Sequence, residues 1–221
     1  MPGRRTLAPA AAAAIALIIG GRATGQDAAS VLHRAERAYD AASTFRATFV
    51  QTIVNPMLGT PEVSRGVVFL EPPDLFAMRF TDPPGDRVVA DGTWLWIYAP
   101  SSVPDQVLRQ PIPSAGTATP NLVTQFVDRP LERYRATLMD PDRVGSVVVD
   151  VVRLEPKVDG LPFRRAEIAI ARNDGLLRRI ALMERSGQRR MIEFPEIETN
   201  RKIDPAEFRF EVPRGARVVV P

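Results

Sequence analysis

The sequence predicts an α+β fold built on one large antiparallel sheet. Three observations support this prediction. One long amphipathic helical pattern lies near the start of the chain, and about ten short apolar or alternating segments follow it. Proline pairs, Asp-Gly and Asn-Asp-Gly separate these segments, which is typical of hairpin turns. Since a large twisted sheet tends to curl on itself, we expect a curved sheet in one domain, residues 26–221, with a long N-terminal helix and a short second helix.

The first 25 residues have the pattern of a secretory signal peptide. Arg4 and Arg5 give a basic start, Ala10–Ile19 is apolar but too short to span a bilayer, and Ala23–Gly25 supplies small residues for cleavage. No cysteine follows, so we expect neither a lipid-anchored mature N-terminus nor disulfides. The segment Gly3–Leu7 has part of a twin-arginine signal, which leaves both export routes open.

The charge balance argues against nucleic-acid binding. The chain has 29 Lys and Arg against 26 Asp and Glu. Cleavage after Gly25 removes Arg4, Arg5 and Arg22, so the mature chain is formally neutral. Because nucleic-acid binding needs a concentrated positive field, we expect no nucleic-acid partner.

The long helix is predicted over Asp27–Ala42. Asp27 is a suitable N-cap, and apolar residues recur at helical spacing from Val31 to Ala42. The next segment, Phe45–Val54, alternates as a strand with Phe45, Ala47 and Phe49 on one face, and Asn55–Pro61 is a turn.

A meander of apolar strands follows. Phe76, Met78 and Phe80 share one face of their strand, whereas the last strand is apolar on both faces. A sheet this apolar must cover a core, another sheet or a ligand. The predicted strands are Val67–Leu70, Leu75–Phe80, Arg87–Ala90 and Trp94–Tyr98.

A long Pro/Gly/Ser/Thr-rich passage, Ala99–Pro120, separates the meander from the second helix and holds a short strand at Gln106–Arg109. Thr119 is a candidate N-cap, with Pro120 at the first helical position. Leu122, Val123, Phe126 and Val127 form an apolar stripe, and Arg129-Pro130 ends the helix. This helix either plugs one end of the core or acts as a lid.

The rest of the chain is predicted as strands linked by hairpin turns. Three arginine pairs, at 164–165, 178–179 and 189–190, fall on consecutive strands. They either are solvated and protect strand edges, or form a docking patch for an acidic partner or an anionic membrane; only half of each pair can share one face. The predicted strands are Leu131–Met139, Ser146–Leu154, Pro162–Arg172, Leu176–Glu184, Gln188–Ile197 and Phe208–Val212.

The sequence lacks the common signatures of catalysis. His33, the single histidine, lies on the long helix, where a solvated role is expected because a metal site needs several clustered ligands. There is no cysteine, no G-x-S-x-G motif and no Gly-rich phosphate loop. We therefore expect a protein that is not an enzyme, with no cofactor and no metal.

Several short motifs, in this order and spacing, resemble the LolA family of periplasmic outer-membrane lipoprotein carriers. The resemblance covers essentially the whole mature chain. Its motifs are Phe45-x-Ala-x-Phe49-x-Gln51, Gly66 with Leu70, Pro73-Asp74-Leu75-Phe76, Val89-Ala90-Asp91-Gly92, Leu95-Trp96-Ile97-Tyr98 and Pro100, then Asp174-Gly175, Gly187-Gln188, Ile203-Asp204-Pro205, Phe208-x-Phe210 and Pro213-x-Gly215.

The resemblance implies an unclosed β-barrel whose helices act as a lid over an apolar cavity. It implies a monomeric periplasmic carrier that binds lipoprotein acyl chains, collects lipoproteins from an inner-membrane ABC exporter and passes them to an outer-membrane acceptor. Transfer of an acyl chain of about 14 methylenes into water costs on the order of 11 kcal/mol, so a lipoprotein needs such a shield. The expected cavity residues are Phe45, Phe49, Val68, Leu70, Phe76, Met78, Phe80, Leu95, Ile97, Leu122 and Phe126.

Other readings of the same pattern remain open. The apolar side chains could pack permanently against the long helix, or the cavity could serve a general lipid or glycolipid shuttle. A related fold forms the lipid-sensing domain of envelope-stress regulators, which usually carry a further C-terminal domain.

One position departs from the family pattern. In family members a basic residue, commonly arginine, precedes the Pro-x-Leu-Phe motif and holds the lid by hydrogen bonds to backbone groups. That position is Pro72 here, and proline cannot donate a hydrogen bond. We expect this latch either to be lost or to be supplied by other residues.

Overall fold

The computed structural model describes residues 27–57, 59–112 and 121–220. The predicted signal peptide, Thr119 and Pro120 lie outside these ranges. Within them, none of the helices is long and apolar enough to cross a membrane.

The long N-terminal helix, α1, spans Ala28–Asp40 and confirms the predicted helix. The carboxylate of Asp27 accepts a hydrogen bond from the backbone N–H of Ser30 at 2.7 Å, which caps the first turn as expected. Val31, Leu32 and Ala35 are almost fully buried, because this stripe packs against the inner face of the sheet. Two short helices follow later in the chain, α2 over Leu122–Val127 and α3 over Pro130–Arg133.

Fourteen strands lie within the described ranges, and they belong to one sheet. They are β1 Phe45–Val54, β2 Pro61–Glu71, β3 Leu75–Asp82, β4 Pro84–Asp91, β5 Trp94–Tyr98, β6 Gln106–Pro111, β7 Tyr134–Leu138, β8 Asp142–Val144, β9 Val147–Pro156, β10 Phe163–Ala171, β11 Leu177–Glu184, β12 Arg189–Glu193, β13 Ile197–Thr199 and β14 Arg217–Val219.

The strand order confirms a large curved sheet that does not close. It runs β14-β6-β5-β4-β3-β2-β1-β12-β11-β10-β9-β7, with β13 added to β1 and β8 to β9. Neighbouring strands are antiparallel, except that β14 pairs with β6 in parallel. The two ends of this order, β14 and β7, are the open edges of an unclosed barrel.

The predicted strand at Phe208–Val212 is wrong. A 3₁₀ helix spans Pro205–Phe208, and the segment after it pairs with no strand. Ile203, Phe208 and Phe210 instead pack on the outer face of the sheet, against Phe69, Ala77, Val89 and Trp96. The apolar residues of this segment alternate because one side of the segment packs on the sheet, not because its backbone pairs with a strand.

Other element boundaries also differ from the prediction. Leu131 lies in α3, so the predicted strand Leu131–Met139 begins only at Tyr134. The predicted strand Gln188–Ile197 breaks at Pro195 into β12 and β13, since proline cannot donate to a central ladder. The three-residue strands β8 and β14 were not predicted, because so short a segment shows no alternation.

Strand β5 separates the two apolar layers. Leu95 and Ile97 face the inner core, whereas Trp96 faces the outer cluster. There the Trp96 ring stacks on Phe210 at 5.3 Å between centroids, and its indole N–H donates to Oδ2 of Asp91 at 2.7 Å. This arrangement explains why the strand is apolar on both faces.

The inner core packs closely against β2 at Gly66. The rings of Phe49 and Phe80 meet edge to face at 5.1 Å. A Cβ atom at Gly66 would lie 2.8 Å from the Phe49 ring and would also collide with the Arg79 carbonyl oxygen. The glycine is therefore required here by the close approach of the ring to the strand.

Candidate functional site

A cavity of about 710 Å³ lies between the end of α1, the β2–β3 turn and the two short helices. This size falls within the range of roughly 300–1,000 Å³ that is usual for ligand sites. The residues lining it are Tyr39, Asp40, Ala42, Pro72, Pro73, Asp74, Phe76, Ala90, Ile112, Asn121, Thr124, Val127, Asp128, Arg129, Glu132 and Arg133.

The structure brings the predicted cavity residues together in one apolar cluster on the inner face of the sheet. Phe80 and Ile97 are half-buried at its margin, and the side chain of Leu122 lies outside the described part of the structure. Of the predicted residues whose side chains are described, Phe76 alone also lines the cavity. The buried members are Phe45, Phe49, Val68, Leu70, Phe76, Met78, Leu95 and Phe126.

Helix α2 covers this cluster at the cavity. Val123, Phe126 and Val127 are buried in the same core as the inner face of the sheet. Phe126 is 0% exposed, and its ring lies 5.6 Å from that of Phe163 and 5.8 Å from that of Tyr134. Burial raises the pKa of the Tyr134 phenol, so this end of the core contains a neutral tyrosine at physiological pH.

Asn121 caps the start of α2. Its Oδ1 accepts hydrogen bonds from the backbone N–H groups of Val123 at 3.2 Å and Thr124 at 3.1 Å. The expected cap, Thr119, and the expected first helical residue, Pro120, lie outside the described residues, and the described helix begins at Leu122 with Asn121 as its N-cap. A helix of six residues is marginal alone, so its stability depends on this cap and on packing.

The end of α2 is held by residues that the sequence did not single out. The Arg133 guanidinium donates to the backbone carbonyl oxygens of Asp128 and, at 3.5 Å, of Thr124. On α1, Oε1 of Glu36 accepts from the backbone N–H of Arg129 at 3.2 Å, where the chain turns between α2 and α3. The helix ends at Val127, just before the Arg129-Pro130 pair that was expected to stop it.

These contacts supply hydrogen bonds of the kind that Pro72 cannot make. Arg133 is a charged donor to the last carbonyls of α2, and Glu36 joins the turn after α2 to the long helix. Pro72 itself lines the same cavity, from the β2–β3 turn. The contact between Glu36 and Arg129 joins residues 93 positions apart, so a local sequence pattern cannot predict it.

We expect Arg133→Met to loosen α2. Methionine keeps the apolar stem but removes the charged donor, and a hydrogen bond from a charged group contributes about 1.5–3 kcal/mol. Backbone amide exchange of Gln125 and Asp128 should accelerate at least tenfold, as measured by hydrogen exchange, since these amides donate within α2.

Arg129→Met is the matched control. The Arg129 side chain is 60% exposed and pairs with the exposed carboxylates of Asp128 and Glu132. Such surface pairs contribute little to stability. Equal acceleration of exchange in both variants would show that Arg133 has no specific part in holding α2.

The site offers an apolar lining and a charged rim. Asp40, Asp74, Asp128 and Glu132 stand at the rim together with Arg129 and Arg133. In the described part of the chain, no group of three or more His, Asp or Glu residues could hold a metal ion. His33 is exposed and pairs with Glu36 at 3.1 Å, in agreement with the solvated role expected for it.

An unclosed sheet with an apolar inner face, covered by short helices beside a cavity, is the architecture of a protein that binds apolar ligands. Comparison with known proteins agrees. A sequence model described as "Outer membrane lipoprotein carrier protein LolA" matches residues 40–211. The chain belongs to this family, as the sequence motifs predicted.

Relatives named "Outer-membrane lipoprotein carrier protein" match over most of their length. One from Alkalilimnicola ehrlichii is 27% identical over 184 residues, which is 83% of this chain and 80% of the relative. One from Pseudomonas aeruginosa is 26% identical over 206 residues, which is 92% of this chain and 94% of the relative. A crystal structure of an uncharacterized conserved protein from Thermus thermophilus shares the fold, with a TM-score of 0.55 at 16% identity over 88% of this chain and 99% of that one.

Proposed function

We propose that this protein is a periplasmic carrier that binds lipoprotein acyl chains between the inner face of its sheet and α2. The observation that carries the proposal is the position of Phe126, which fills the apolar interior from a six-residue helix beside a cavity of about 710 Å³. Family membership and the names of the relatives support the same reading.

Ligand entry exchanges one set of apolar contacts for another. When α2 moves outward, Val123, Phe126 and Val127 leave the core, and an acyl chain takes their place against the inner face of the sheet. An acyl chain of about 14 methylenes gains on the order of 11 kcal/mol from burial, which offsets the lost packing of three side chains. Phe76 then contacts the acyl chain first, since it already lines the cavity.

The resemblance extends the proposal to partners and location. The carrier receives lipoproteins from an inner-membrane ABC exporter and delivers them to an outer-membrane acceptor. It acts as a monomer in the periplasm after removal of residues 1–25. Its part in transport is binding and release rather than catalysis or nucleotide hydrolysis.

Competition for the cavity tests the proposal. An apolar fluorescent probe should bind the mature protein and be displaced by a triacylated lipopeptide, but not by the same peptide without acyl chains. Mass spectrometry of species that copurify from the periplasm should find lipoproteins. A probe that does not bind, or that the lipopeptide does not displace, would contradict the proposal. Equal displacement by free phospholipid would favour a general lipid shuttle.

A further inference from the structure

The strand register shows which arginine of each sequence pair faces outward. Arg165 of β10 lies opposite Met183 of β11, Met183 lies opposite Arg189 of β12, and Arg189 lies opposite Val54 of β1. Residues that are directly opposite share a face of the sheet. Val54 alternates with the inward-facing Phe49, so this row lies on the outer face.

A second row beside it is apolar and partly exposed. Val63 of β2, Thr52 of β1, Met191 of β12 and Ala181 of β11 are successive cross-strand partners. Val63 is 43% exposed and Met191 is 36% exposed. The two rows enclose a shallow groove of about 410 Å³, in which Met183 lies between Arg165 and Arg189, and Met191 lies in the second row.

The charge of this surface is uncompensated. Within the described residues, neither Arg165 nor Arg189 has a carboxylate within ion-pair distance. Glu167, which also lines the groove, already accepts two hydrogen bonds from Arg153, at 3.0 and 3.1 Å. The third outward arginine, Arg179, is paired with Asp142 at 2.5 Å. Two free guanidinium groups therefore flank an apolar floor.

An exposed apolar side chain projects beyond this row. Met57 is 92% exposed in the turn between β1 and β2. This turn contacts the β11–β12 turn, since a Cβ atom at Gly187 would lie 3.7 Å from Cγ of Pro56. Met57 follows Val54 by three residues, so it extends at most about 10 Å past the row that contains Arg189.

We propose that this surface, Met57 with Arg165 and Arg189, docks the protein on an anionic phospholipid bilayer. Peripheral apolar elements sink roughly 5–10 Å into the boundary between headgroups and acyl chains. That depth matches the reach of Met57 and leaves the two guanidinium groups at the level of the lipid phosphates. A projecting methionine suits a soft lipid interface, which needs no pocket to receive it. The surface shares no residue with the cavity lining.

Vesicle sedimentation tests the proposal with the mature protein. Binding to phosphatidylcholine vesicles that contain phosphatidylglycerol should exceed binding to pure phosphatidylcholine, and it should weaken at high salt. Each arginine near an anionic surface strengthens partitioning about fivefold, so Arg165→Ala with Arg189→Ala should weaken it about 25-fold. Met57→Asp should weaken it as well, because a carboxylate replaces the inserted side chain.

Matched controls separate a specific surface from net charge. Arg209→Ala with Arg214→Ala removes two exposed arginines elsewhere, and Val103→Asp replaces an apolar side chain that is 43% exposed. These variants should bind vesicles like the parent protein. Equal losses in the control and test variants, or no preference for anionic vesicles, would overturn the proposal.

Two further outcomes are informative. Binding of an acidic amphipathic peptide that depends on Arg165 and Arg189, without vesicle binding, would assign the surface to a protein partner and overturn the membrane proposal. Probe binding in the cavity should be unchanged in all these variants, so failure of the surface and failure of the cavity are distinguishable.

Discussion

Phe126→Ala should make the protein bind an apolar probe more tightly while it makes the folded state less stable. The side chain is 0% exposed and packs between the Phe163 and Tyr134 rings, so its truncation costs about 3–5 kcal/mol in the closed state. A site that is closed most of the time binds with an affinity reduced by its open fraction. As long as the closed state stays the more populated one, weakening it by this amount raises the apparent affinity by about a hundredfold or more, as measured by probe titration.

Phe69→Ala is the control for this prediction. Phe69 is 5% exposed, but it packs in the cluster on the outer face of the sheet. Its truncation should lower the free energy of unfolding without any gain in probe affinity. If probe affinity falls in Phe126→Ala, the side chain contributes more to the bound state than to the closed state, and α2 does not compete with the ligand.

Asp150→Ala should destabilise the protein strongly by releasing α1 from the sheet. The Asp150 side chain is 5% exposed on the inner face of β9, and it accepts from Arg34 of α1 at 2.6 Å and from Arg172 at 2.7 Å. Removing one partner of a buried ion pair leaves the other charge poorly solvated, which costs about 3–5 kcal/mol. Because Arg172 is half-exposed, we expect a loss of about 3 kcal/mol in the free energy of unfolding, measured in urea.

Asp142→Ala is the matched control for Asp150→Ala. Asp142 also pairs with an arginine, Arg179 at 2.5 Å, but its side chain is 51% exposed. The arginine bond lowers the pKa of Asp142, yet solvent screens the pair, and the free energy of unfolding should hardly change. A similarly small change in Asp150→Ala would show that the ion pairs of Asp150 contribute little to holding α1 on the sheet.

The sequence predicted those parts of the fold that local patterns specify. Asp27 and the stripe after it placed α1 to within two residues, and the aromatic run placed β5 at the correct bounds, Trp94–Tyr98. The strand prediction for Phe208–Val212 was wrong for a physical reason. Side chains of an extended segment alternate in the same way whether the segment pairs with a strand or lies across a sheet. The alternation of a segment does not show which distant strand it pairs with, or in which register.

At the candidate site, the sequence predicted the apolar inner face of the sheet but not the cavity beside it. The alternation of Phe76, Met78 and Phe80 identified the inner face correctly as one cluster. The cavity rim comes from the end of α1, the β2–β3 turn and α2–α3, whose residues share no period in the sequence. Arg133 was overlooked because it was placed in a predicted strand, where it could not reach the carbonyls of α2.

The outer cluster formed by Ile203, Phe208 and Phe210 covers β2 to β5, whereas the outward side of β11 and β12 is open at the groove near Met183 and Met191. The sheet from β2 to β5 thus lies between two apolar layers, whereas, among the described residues, β11 and β12 have an apolar layer on the inner side only. A sandwiched sheet resists bending more than a singly supported one, so under the proposed carrier function we expect bulkier acyl chains to be accommodated by bending of β11 and β12. On that proposal, the range of acyl chains that the protein can bind depends on how far this singly covered part of the sheet can bend.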